Sequence, residues 1–485
     1  MSAPSPQTDT LSPSPPDPTA PSAAPAGRKV WTAGSLSYTA GGLALLLLLL
    51  LGGDFAWSMR ERSVQPLFQI LLRQYESSDF LTSLLLGSIP ACITVLVWPV
   101  VSVWSDRTRT RWGRRIPFLF FPTPFIFGAM VGLGYAPDIG IWVQKLVGAT
   151  GNPNPYILGV FGLFWVIFEV FAMVTNSVFY GLVNDTVPRV MIGRFFGLFR
   201  MASLGAGVYF NYSLIGYAET HAKQVFLGIA VLYLVGFSIM CMFVKEGTYP
   251  PPPPVVENDN LIAKVKRYFR ECTHDRFYTF AFITLAVASI ANQPINLFSI
   301  FTAKSYGIET AQYGKYLAIS YICSFILSFP LGWLSDRYHP MRTASICMAV
   351  YTITMSVGFF FVHTASAFGV FFILHTVLSG CFFTTSMALY PMVFPKSQFS
   401  QFYSAYSLLN NVLLFATAPL LGLVLKFSNS WYLLTFLISG GLGILSLGLW
   451  VYWYRLFKAR GGFDNFVPPE PTVDATPTVA TKSTK

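Results

Sequence analysis

Twelve long apolar segments constrain the fold of this 485-residue chain more than any other feature of its sequence. Each can supply the roughly 20 residues that an α-helix needs to cross the hydrocarbon core of a bilayer. The composition agrees, because 53% of the residues are apolar, only 11% are charged and the mean hydropathy is +0.54. We therefore predict an all-α, multi-pass membrane protein. The segments lie near residues 41–72, 80–104, 116–136, 154–184, 191–217, 224–244, 277–303, 312–334, 342–363, 366–394, 400–425 and 431–455.

A short arginine-rich loop between the second and third segments sets the predicted orientation. Short loops rich in Lys and Arg stay on the cytoplasmic side of a membrane. With this loop inside, 24 of the 32 basic residues fall in cytoplasmic segments and six fall outside. We therefore predict that both termini are cytoplasmic, in a plasma membrane or, in a bacterium, the inner membrane. The arginines of the loop are Arg107, Arg109, Arg111, Arg114 and Arg115.

The net charge of +11 does not indicate a nucleic-acid partner, because the basic residues are spread over alternate loops. The six cysteines show no metal or redox spacing. No segment contains a His-Asp, Ser-Lys or zinc-ligand constellation that an enzyme within the membrane would need. We expect no enzymatic activity, no metal and no cofactor, and we expect a monomer whose partners are the bilayer and a small solute.

Composition divides the chain into two apolar halves and three polar parts. Residues 1–37 begin with a stretch rich in Pro, Ser and Ala and are expected to be a disordered cytoplasmic tail. Two six-helix lobes follow at 38–245 and 277–457, separated by a central cytoplasmic loop at 246–276. In that loop residues 250–254 form a stiff run of prolines, and 261–270 can form a short basic amphipathic helix. Residues 458–485 are expected to be a second disordered cytoplasmic tail.

One short motif occurs twice. Ser105-Asp106-Arg107 returns 230 residues later as Ser335-Asp336-Arg337, each time at the end of the second apolar segment of its half. A motif repeated once at half-length is typical of transporters built from two structural repeats.

These residues resemble the major facilitator superfamily, whose loop between helices 2 and 3 carries a Gly-x-x-x-Asp-Arg-x-Gly-Arg-Arg type motif in each half. The extended form before Trp112-Gly113-Arg114-Arg115 is similar to the glycoside (melibiose-type) and sucrose cation symporters. One position departs, because the first glycine is Ser102 in the first copy, whereas the second copy keeps Gly332. The resemblance implies twelve transmembrane helices in two pseudo-symmetric lobes that work by alternating access.

The same resemblance implies a gate on the cytoplasmic side that latches the two lobes together. We expect Asp106 to lie against the start of segment eleven, near residues 397–400, where a carboxylate meets the positive end of a helix. The residues assigned to the gate are Asp106, Arg107, Gly113, Arg114, Arg115, Asp185, Arg194, Asp336 and Arg337.

Ionisable residues inside apolar segments are the best pointers to a binding site, because each is costly in hydrocarbon. Segment one carries Asp54 and Glu61 on the same helical face as Trp57. Alternatively, residues 60–62 mark the outer end of a shorter helix. Gly53-Asp54-Phe55-Ala56 resembles the Gly-x-Asp-Phe-Ala of melibiose-type symporters, which implies that Asp54 binds sugar hydroxyls. Trp57, one turn later, is expected to stack on a sugar ring.

Segments four and five complete the predicted site in the first half. Glu169, Asn176 and Tyr180 share one face of segment four. Arg200 in segment five is expected at the depth of Asn176, and our preferred interpretation is an ion pair between Asp54 and Arg200. The alternatives are that Arg200 pairs with Glu169 or reaches inward to the membrane surface.

The second half offers neutral groups in place of charges. Its candidates for hydrogen bonds to a polyol are Asn292, Gln293, Asn296, His375 and Asn411.

Two departures from the sugar symporters bear on the coupling ion. The helix-four aspartate of that family is Asn176 here, as in the plant sucrose carriers, and the aspartates of sodium-coupled members are Thr94 and Trp98. Because Na⁺ needs a cluster of oxygen ligands, we expect a proton to be the coupling ion, carried by Asp54, Glu61 or Glu169.

The sequence thus predicts a secondary transporter that moves a sugar or glycoside by alternating access, in symport with a proton. The alternatives are a transporter of another small polar or anionic organic solute, or a transporter-like sensor that does not transport.

Overall fold

The computed structural model describes residues 30–188, 191–249, 270–395 and 398–469. The predictions for residues 250–254 and 261–269 and for most of both tails lie outside these ranges. The side chains of three predicted gate residues, Asp106, Arg194 and Asp336, also lie outside the described part of the chain.

The first lobe contains six helices: α1 (Ala40–Gln74), α2 (Asp79–Ser83, Leu84–Ser88 and Ile89–Arg107), α3 (Ile116–Phe120 and Pro122–Val147), α4 (Asn154–Thr186), α5 (Ile192–Tyr209, Phe210–Leu214 and Ile215–Ala218) and α6 (Ala222–Phe243). Helix α1 contacts α5 and α6, α3 contacts α4 and α6, and α2 contacts α4. Helices α2 and α5 each contain a short π-helical turn, which shifts the register of the side chains that follow.

The second lobe contains α7 (Arg276–Ile290 and Gln293–Ser305), α8 (Thr310–Tyr338), α9 (Pro340–Phe361), α10 (Ala365–Val393), α11 (Phe399–Phe427) and α12 (Leu434–Lys458), and a short α13 (Gly462–Asn465) follows. It repeats the arrangement of the first lobe, with α9 packed on α10 and α12, α8 on α10, and α7 on α11 and α12. Helix α7 is broken at residues 291–292, where the chain makes a turn before Pro294.

Within the described residues, eleven helices are long and apolar enough to cross a membrane. The predicted fifth segment corresponds to α5, which is not among them; Arg200 and Asn211 lower its mean hydropathy. Its residues nevertheless form one continuous helical run from Ile192 to Ala218.

Helix α1 does not end at residues 60–62, so the alternative of a shorter first helix is wrong. It continues past Pro66 to Gln74, and Arg60 lies in its middle with only 1% of its surface exposed. A charged residue at this position is therefore part of the interior of the lobe.

Both predicted tails contain ordered structure next to the helices. Trp31–Ala33 and Leu36–Tyr38 form an antiparallel hairpin, so the predicted tail boundary at residue 37 differs from the structure. After α12, Arg460 forms an ion pair with Asp275 at 2.7 Å and Phe466 packs on Phe277. The first part of the tail predicted from residue 458 therefore packs on the second lobe through these contacts.

The two lobes contact each other mainly on one half of the bundle. We call the face that carries the start of α1, the end of α12 and the loop 108–115 the terminal face, and the face with loops 75–78 and 428–433 the opposite face. The described contacts between lobes join α1 to α7, α2 to α11 and α5 to α8 on the side of the opposite face. On the terminal side, Trp104 of α2 and Trp333 of α8 are more than half exposed. The described contacts between the lobes are therefore concentrated toward the opposite face.

Candidate functional site

The polar side chains of α1 divide between the interior of the first lobe and the space between the lobes. Glu61 and Gln65 are exposed, whereas Asp54 is 6% exposed and Arg60 is buried. Contacts of α1 with the second lobe include the Arg62 guanidinium, 5.2 Å from the ring centre of Tyr321, and Gln69 Nε2, which donates to the carbonyl oxygen of Asn296 at 3.2 Å. This part of α1 therefore lines the interface where a solute would meet both lobes.

Asp54 does not form the predicted ion pair with Arg200. No cationic group of the described residues lies within 4.0 Å of its carboxylate, and its Oδ2 atom has no hydrogen-bond partner there. Arg200 is exposed, and its electrostatic neighbours are Arg62 and Tyr180. The physical reason is packing, since Gly53 brings the backbone of α1 against Met240 of α6 and so turns Asp54 into the lobe.

Arg60, to which the sequence analysis assigned no role in binding, is the buried arginine of α1. Its Nη2 atom donates to Asn176 Oδ1 at 3.2 Å, and it interacts electrostatically with Glu169. Its guanidinium also lies 5.8, 5.7 and 5.2 Å from the ring centres of Trp57, Phe168 and Tyr233, an arrangement that favours a cation. The signal available in the sequence was the charge itself inside an apolar segment.

A small cavity of about 200 Å³ lies beside this arginine in the first lobe. Its polar lining consists of Arg60, Glu61, Gln65, Glu169 and Asn176. Two of the predicted proton carriers, Glu61 and Glu169, therefore share one space with the buried cation.

Trp57 is placed differently from the expectation that it stacks on a sugar ring. It is 4% exposed, and its ring packs against Phe179 at 4.2 Å and Tyr180 at 5.6 Å between ring centres. The aromatic side chain that faces the space between the lobes is Tyr180, which is 54% exposed.

Tyr180 lies at the centre of a charged group on the cavity wall of the first lobe. Its hydroxyl interacts electrostatically with Glu61 and Asp54 and with Arg62 and Arg200. Arg62 Nη2 also donates to Ser203 Oγ at 3.3 Å, which ties α1 to α5. Two carboxylates and two guanidiniums balance in charge, so this wall offers hydrogen-bond donors and acceptors together.

The second lobe presents Asn296, which is exposed at the start of the second part of α7. Behind it His375 is fully buried, with Nε2 at 3.0 Å from Asn296 Oδ1 and Nδ1 at 3.1 Å from Tyr351 Oη. Tyr351 Oη is also 3.2 Å from the carbonyl of Ala291, where α7 is broken. Because Tyr351 has one hydroxyl proton and donates it to Ala291, its oxygen is the acceptor for His375 Nδ1, and Asn296, hydrogen-bonded to Nε2, ends this chain at the cavity.

The other predicted amides of the second lobe are less accessible. Asn292 is buried and its Nδ2 donates to the carbonyl of Ala288 at 3.0 Å. Gln293 and Asn411 are half-buried, and Asn411 Nδ2 donates to the carbonyl of Ser407 at 2.8 Å. Asn296 is therefore the amide of this lobe that is best placed for a solute.

The described gate residues form a cluster at the terminal face of the first lobe. Arg114 and Arg115 both pair with Asp185, at 2.8 and 3.3 Å, and Arg115 Nη1 donates to the buried Ser105 Oγ at 3.1 Å. In the second lobe, Oγ of the repeated serine, Ser335, lies 2.9 Å from Oγ1 of Thr343.

The remaining two gate residues with described side chains point elsewhere. Arg107 is exposed, and the guanidinium of Arg337 lies 5.1 Å from the ring centre of Trp333 on its own helix.

Glu246 completes this cluster, and sequence reasoning missed it. Its carboxylate accepts hydrogen bonds from the backbone amides of Arg114, Arg115 and Ile116 at 3.0, 2.8 and 2.6 Å. No local pattern could have revealed it, because about 130 residues separate the partners. Among the described residues, no group of three His, Cys, Asp or Glu side chains is placed to hold a metal ion.

The second half of the chain matches a known family model. Residues 280–480 match the model described as Major Facilitator Superfamily. A sucrose transport protein of Oryza sativa subsp. indica is 31% identical over 98 residues, which is 20% of this chain and 16% of that protein. The general alpha-glucoside permease of Schizosaccharomyces pombe is 25% identical over 231 residues, 46% of this chain and 39% of that protein. The chain therefore matches well under half the length of each of these relatives.

Solved structures share the fold over most of the chain. The nucleoside transporter NupG, in a mutant form, has a TM-score of 0.64 at 12% identity and covers 84% of this chain and 100% of its own. A bacterial homolog of the human lysosomal transporter Spinster, in an inward-facing conformation, has a TM-score of 0.63 at 13% identity over 88% of this chain and 99% of its own. A D-xylose-proton symporter has a TM-score of 0.58 at 14% identity and covers 88% of this chain and 98% of its own. The predicted twelve-helix, two-lobe major facilitator fold is confirmed.

Proposed function

We propose that this chain is a transporter of the major facilitator superfamily, which carries a sugar or glycoside across its membrane in symport with a proton. Alternating access is the way in which it works. The observation that carries the proposal is the wall around Tyr180, where two carboxylates and two guanidiniums surround an exposed aromatic ring. Sugars need this combination, because they present hydroxyls that both donate and accept and ring faces that pack on aromatic groups.

The second lobe supports a neutral solute. Asn296 presents an uncharged amide to the cavity, with His375 hydrogen-bonded behind it. The sequence relatives are named as a sucrose transport protein and an alpha-glucoside permease, which favours the same class of solute. The buried Asp54 and Asn292 and the half-buried Asn176 are assigned to the same site, behind the exposed groups.

The terminal face is proposed to be the cytoplasmic face. It carries the loop with five arginines between residues 107 and 115, and such loops stay inside. With this orientation the protein lies in a plasma membrane or bacterial inner membrane, and the space between the lobes opens inward. The Arg114, Arg115 and Asp185 cluster then belongs to the inner gate.

The proton is proposed to travel on the carboxylates of α1 and α4. Asp54 is buried without a cation within 4.0 Å in the described residues, whereas Glu169 interacts electrostatically with Arg60. A carboxylate that lacks a cationic partner is the better candidate to take up and release a proton as solute enters, so Asp54 is assigned first, followed by Glu61 and Glu169.

An anionic organic solute is the second candidate, and one observation favours it. Arg62 and Arg200 repel each other electrostatically on the cavity wall, and a bound anion would relieve this repulsion. The two carboxylates beside them would repel the same anion, so the neutral solute remains the first proposal.

The test is uptake by proteoliposomes of neutral mono- and disaccharides and of small organic anions, with and without an inward proton gradient. We expect accumulation of a neutral saccharide that depends on the gradient. The variant Asp54→Asn should not accumulate the saccharide above equilibrium, because its side chain cannot exchange the proton. The control variant Asp138→Asn, at an exposed site of α3, should accumulate it as the unaltered protein does. Uptake of anions alone would overturn the sugar assignment, and uphill uptake by the Asp54 variant would move the proton site to Glu61 or Glu169.

A further inference from the structure

A cavity of about 800 Å³ opens at the terminal face of the first lobe, outside the space between the lobes. Its walls are the arginine-rich loop on one side and the segment 244–249 that follows α6 on the other. Three exposed basic residues line it: Arg109, Arg111 and Lys245. None of the three belongs to the gate cluster.

The cavity has a surplus of positive charge. Its one acidic lining residue, among those described, is Glu246, and the carboxylate of Glu246 is already engaged by three backbone amides of the loop. Arg109 has further contacts of its own, but Arg111 and Lys245 alone bring two basic charges against this one carboxylate. An anion that enters the cavity would therefore meet basic side chains from both walls.

The walls are held in place before any ligand binds. Thr110 and Gly113 exchange backbone hydrogen bonds at 3.2 and 3.0 Å, and Gly113 has a φ of 110°, which few other residues adopt. The guanidinium of Arg109 lies 5.6 Å from the ring centre of Tyr249, and that of Arg111 lies 5.6 Å from the ring centre of Trp112. The basic groups are thus positioned over aromatic rings on opposite walls.

One side of the cavity continues into the apolar surface of the helices. Met242, in its lining, is 70% exposed, and the neighbouring Phe243 is 65% exposed at the end of α6. Phe120 lines the cavity at the start of α3, and Phe121 beside it is 66% exposed. In a membrane these side chains face acyl chains, so the cavity lies where the headgroup layer meets the hydrocarbon.

We propose that this cavity binds the phosphate headgroup of an anionic phospholipid, with the acyl chains along Met242 and Phe120. Arg and Lys side chains bind phosphate by charge-assisted hydrogen bonds, and basic clusters beside membrane helices attract anionic lipids. A ligand with both a phosphate and an apolar tail matches the two halves of the cavity, whereas a soluble phosphate would use only one.

The test is native mass spectrometry of the purified full-length protein titrated with phosphatidylglycerol or phosphatidylcholine. We expect preferential binding of phosphatidylglycerol, and the variants Arg109→Gln, Arg111→Gln and Lys245→Gln should each weaken it about fivefold. The matched controls replace Lys145, Lys315 and Lys426 with Gln one at a time, which removes the same charge from the side of the opposite face and should leave lipid binding unchanged.

Two kinds of outcome would overturn the proposal. Equal binding of the two lipids, or equal loss in the control variants, would mean that the cavity has no specific lipid. Displacement of phosphatidylglycerol by micromolar inorganic phosphate would assign the cavity to a soluble anion instead. None of these readouts depends on transport.

Discussion

Arg60 is the single residue on which the interior of the first lobe depends most. A guanidinium stays charged in proteins, so its burial requires compensation from its surroundings. The oxygen of Asn176, the rings of three aromatic residues and the electrostatic interaction with Glu169 provide part of it, while Nε and Nη1 have no hydrogen-bond partner among the described residues. Asn176, which the sequence assigns to the solute, is thereby committed in part to Arg60.

His375 is a second single residue with a large effect, because it positions Asn296. It contacts the cavity only through the amide of Asn296, since its own side chain is fully buried. By contacting Tyr351 through Nδ1 and Asn296 through Nε2, it fixes the orientation of the amide that faces the solute.

We predict that His375→Phe raises the KM for the transported solute about five- to tenfold and leaves the maximal rate nearly unchanged. The loss corresponds to about one hydrogen bond, because Asn296 is freed to rotate. His375→Gln, which can still hydrogen-bond to Asn296, should restore part of the affinity. Concentration-dependent uptake measures both parameters, and His363→Phe, at an exposed loop site, is the control. A KM that does not respond to His375→Phe would contradict the role.

At the scale of elements, the arginine-rich loop is shaped by the segment that follows α6. A side chain on residue 113 would collide with Glu246, so Gly113 both adopts the positive φ and leaves room for the carboxylate. Glu246 then satisfies the amides at the start of α3, as an acidic group does at a helix N-terminus.

We predict that Glu246→Gln destabilises the protein by about 2 kcal/mol, because an amide replaces a carboxylate that accepts three hydrogen bonds. Thermal unfolding in detergent measures the change. Glu309→Gln removes an exposed acid that makes no side-chain cap at the start of α8, and its effect should stay within about 0.5 kcal/mol. Equal thermal unfolding temperatures for the Glu246→Gln and Glu309→Gln variants would show that Glu246 does not organise the loop.

At the scale of the whole molecule, the contact between the lobes on the side of the opposite face is held by a buried acid. Asp79, at the start of α2, accepts hydrogen bonds from Ser430 Oγ at 2.6 Å and Tyr432 Oη at 2.9 Å. Gly422 of α11 lies so close to the backbone of Asp79 and Phe80 that a side chain there would collide with it. An alternating-access cycle has to separate these groups before the cavity can open at this face.

We predict that Asp79→Ala shifts the equilibrium toward a state open at the opposite face by at least tenfold, because both hydrogen bonds to the carboxylate are lost. The readout is alkylation of a cysteine at Ser88, buried between α2 and α11, by an impermeant reagent in a background without native cysteines. Glu76→Gln, at an exposed site in the adjacent loop, is the control. Unchanged alkylation in Asp79→Ala would exclude the latch.

The sequence by itself determined the features that depend on local properties of the chain. Apolar length predicted the helices, and α5 forms a helix at its predicted place although it is not among the eleven that are apolar enough to cross a membrane. The repeat of Ser105 and Ser335 predicted two related halves, and both serines are buried at the ends of α2 and α8. Helical periodicity also placed Asp54 and Trp57 on one face.

Only the tertiary structure decided which of these groups meet. The rotation of α1 in the lobe is set by the contact of Gly53 with Met240, and it buries Trp57 and separates Asp54 from Arg200. The hydrogen-bond partners of Arg60, Glu246 and Asp79 lie more than 100 residues away along the chain. Pairs at such separations follow from how helices pack against one another, and helical periodicity within one segment carries no information about that packing.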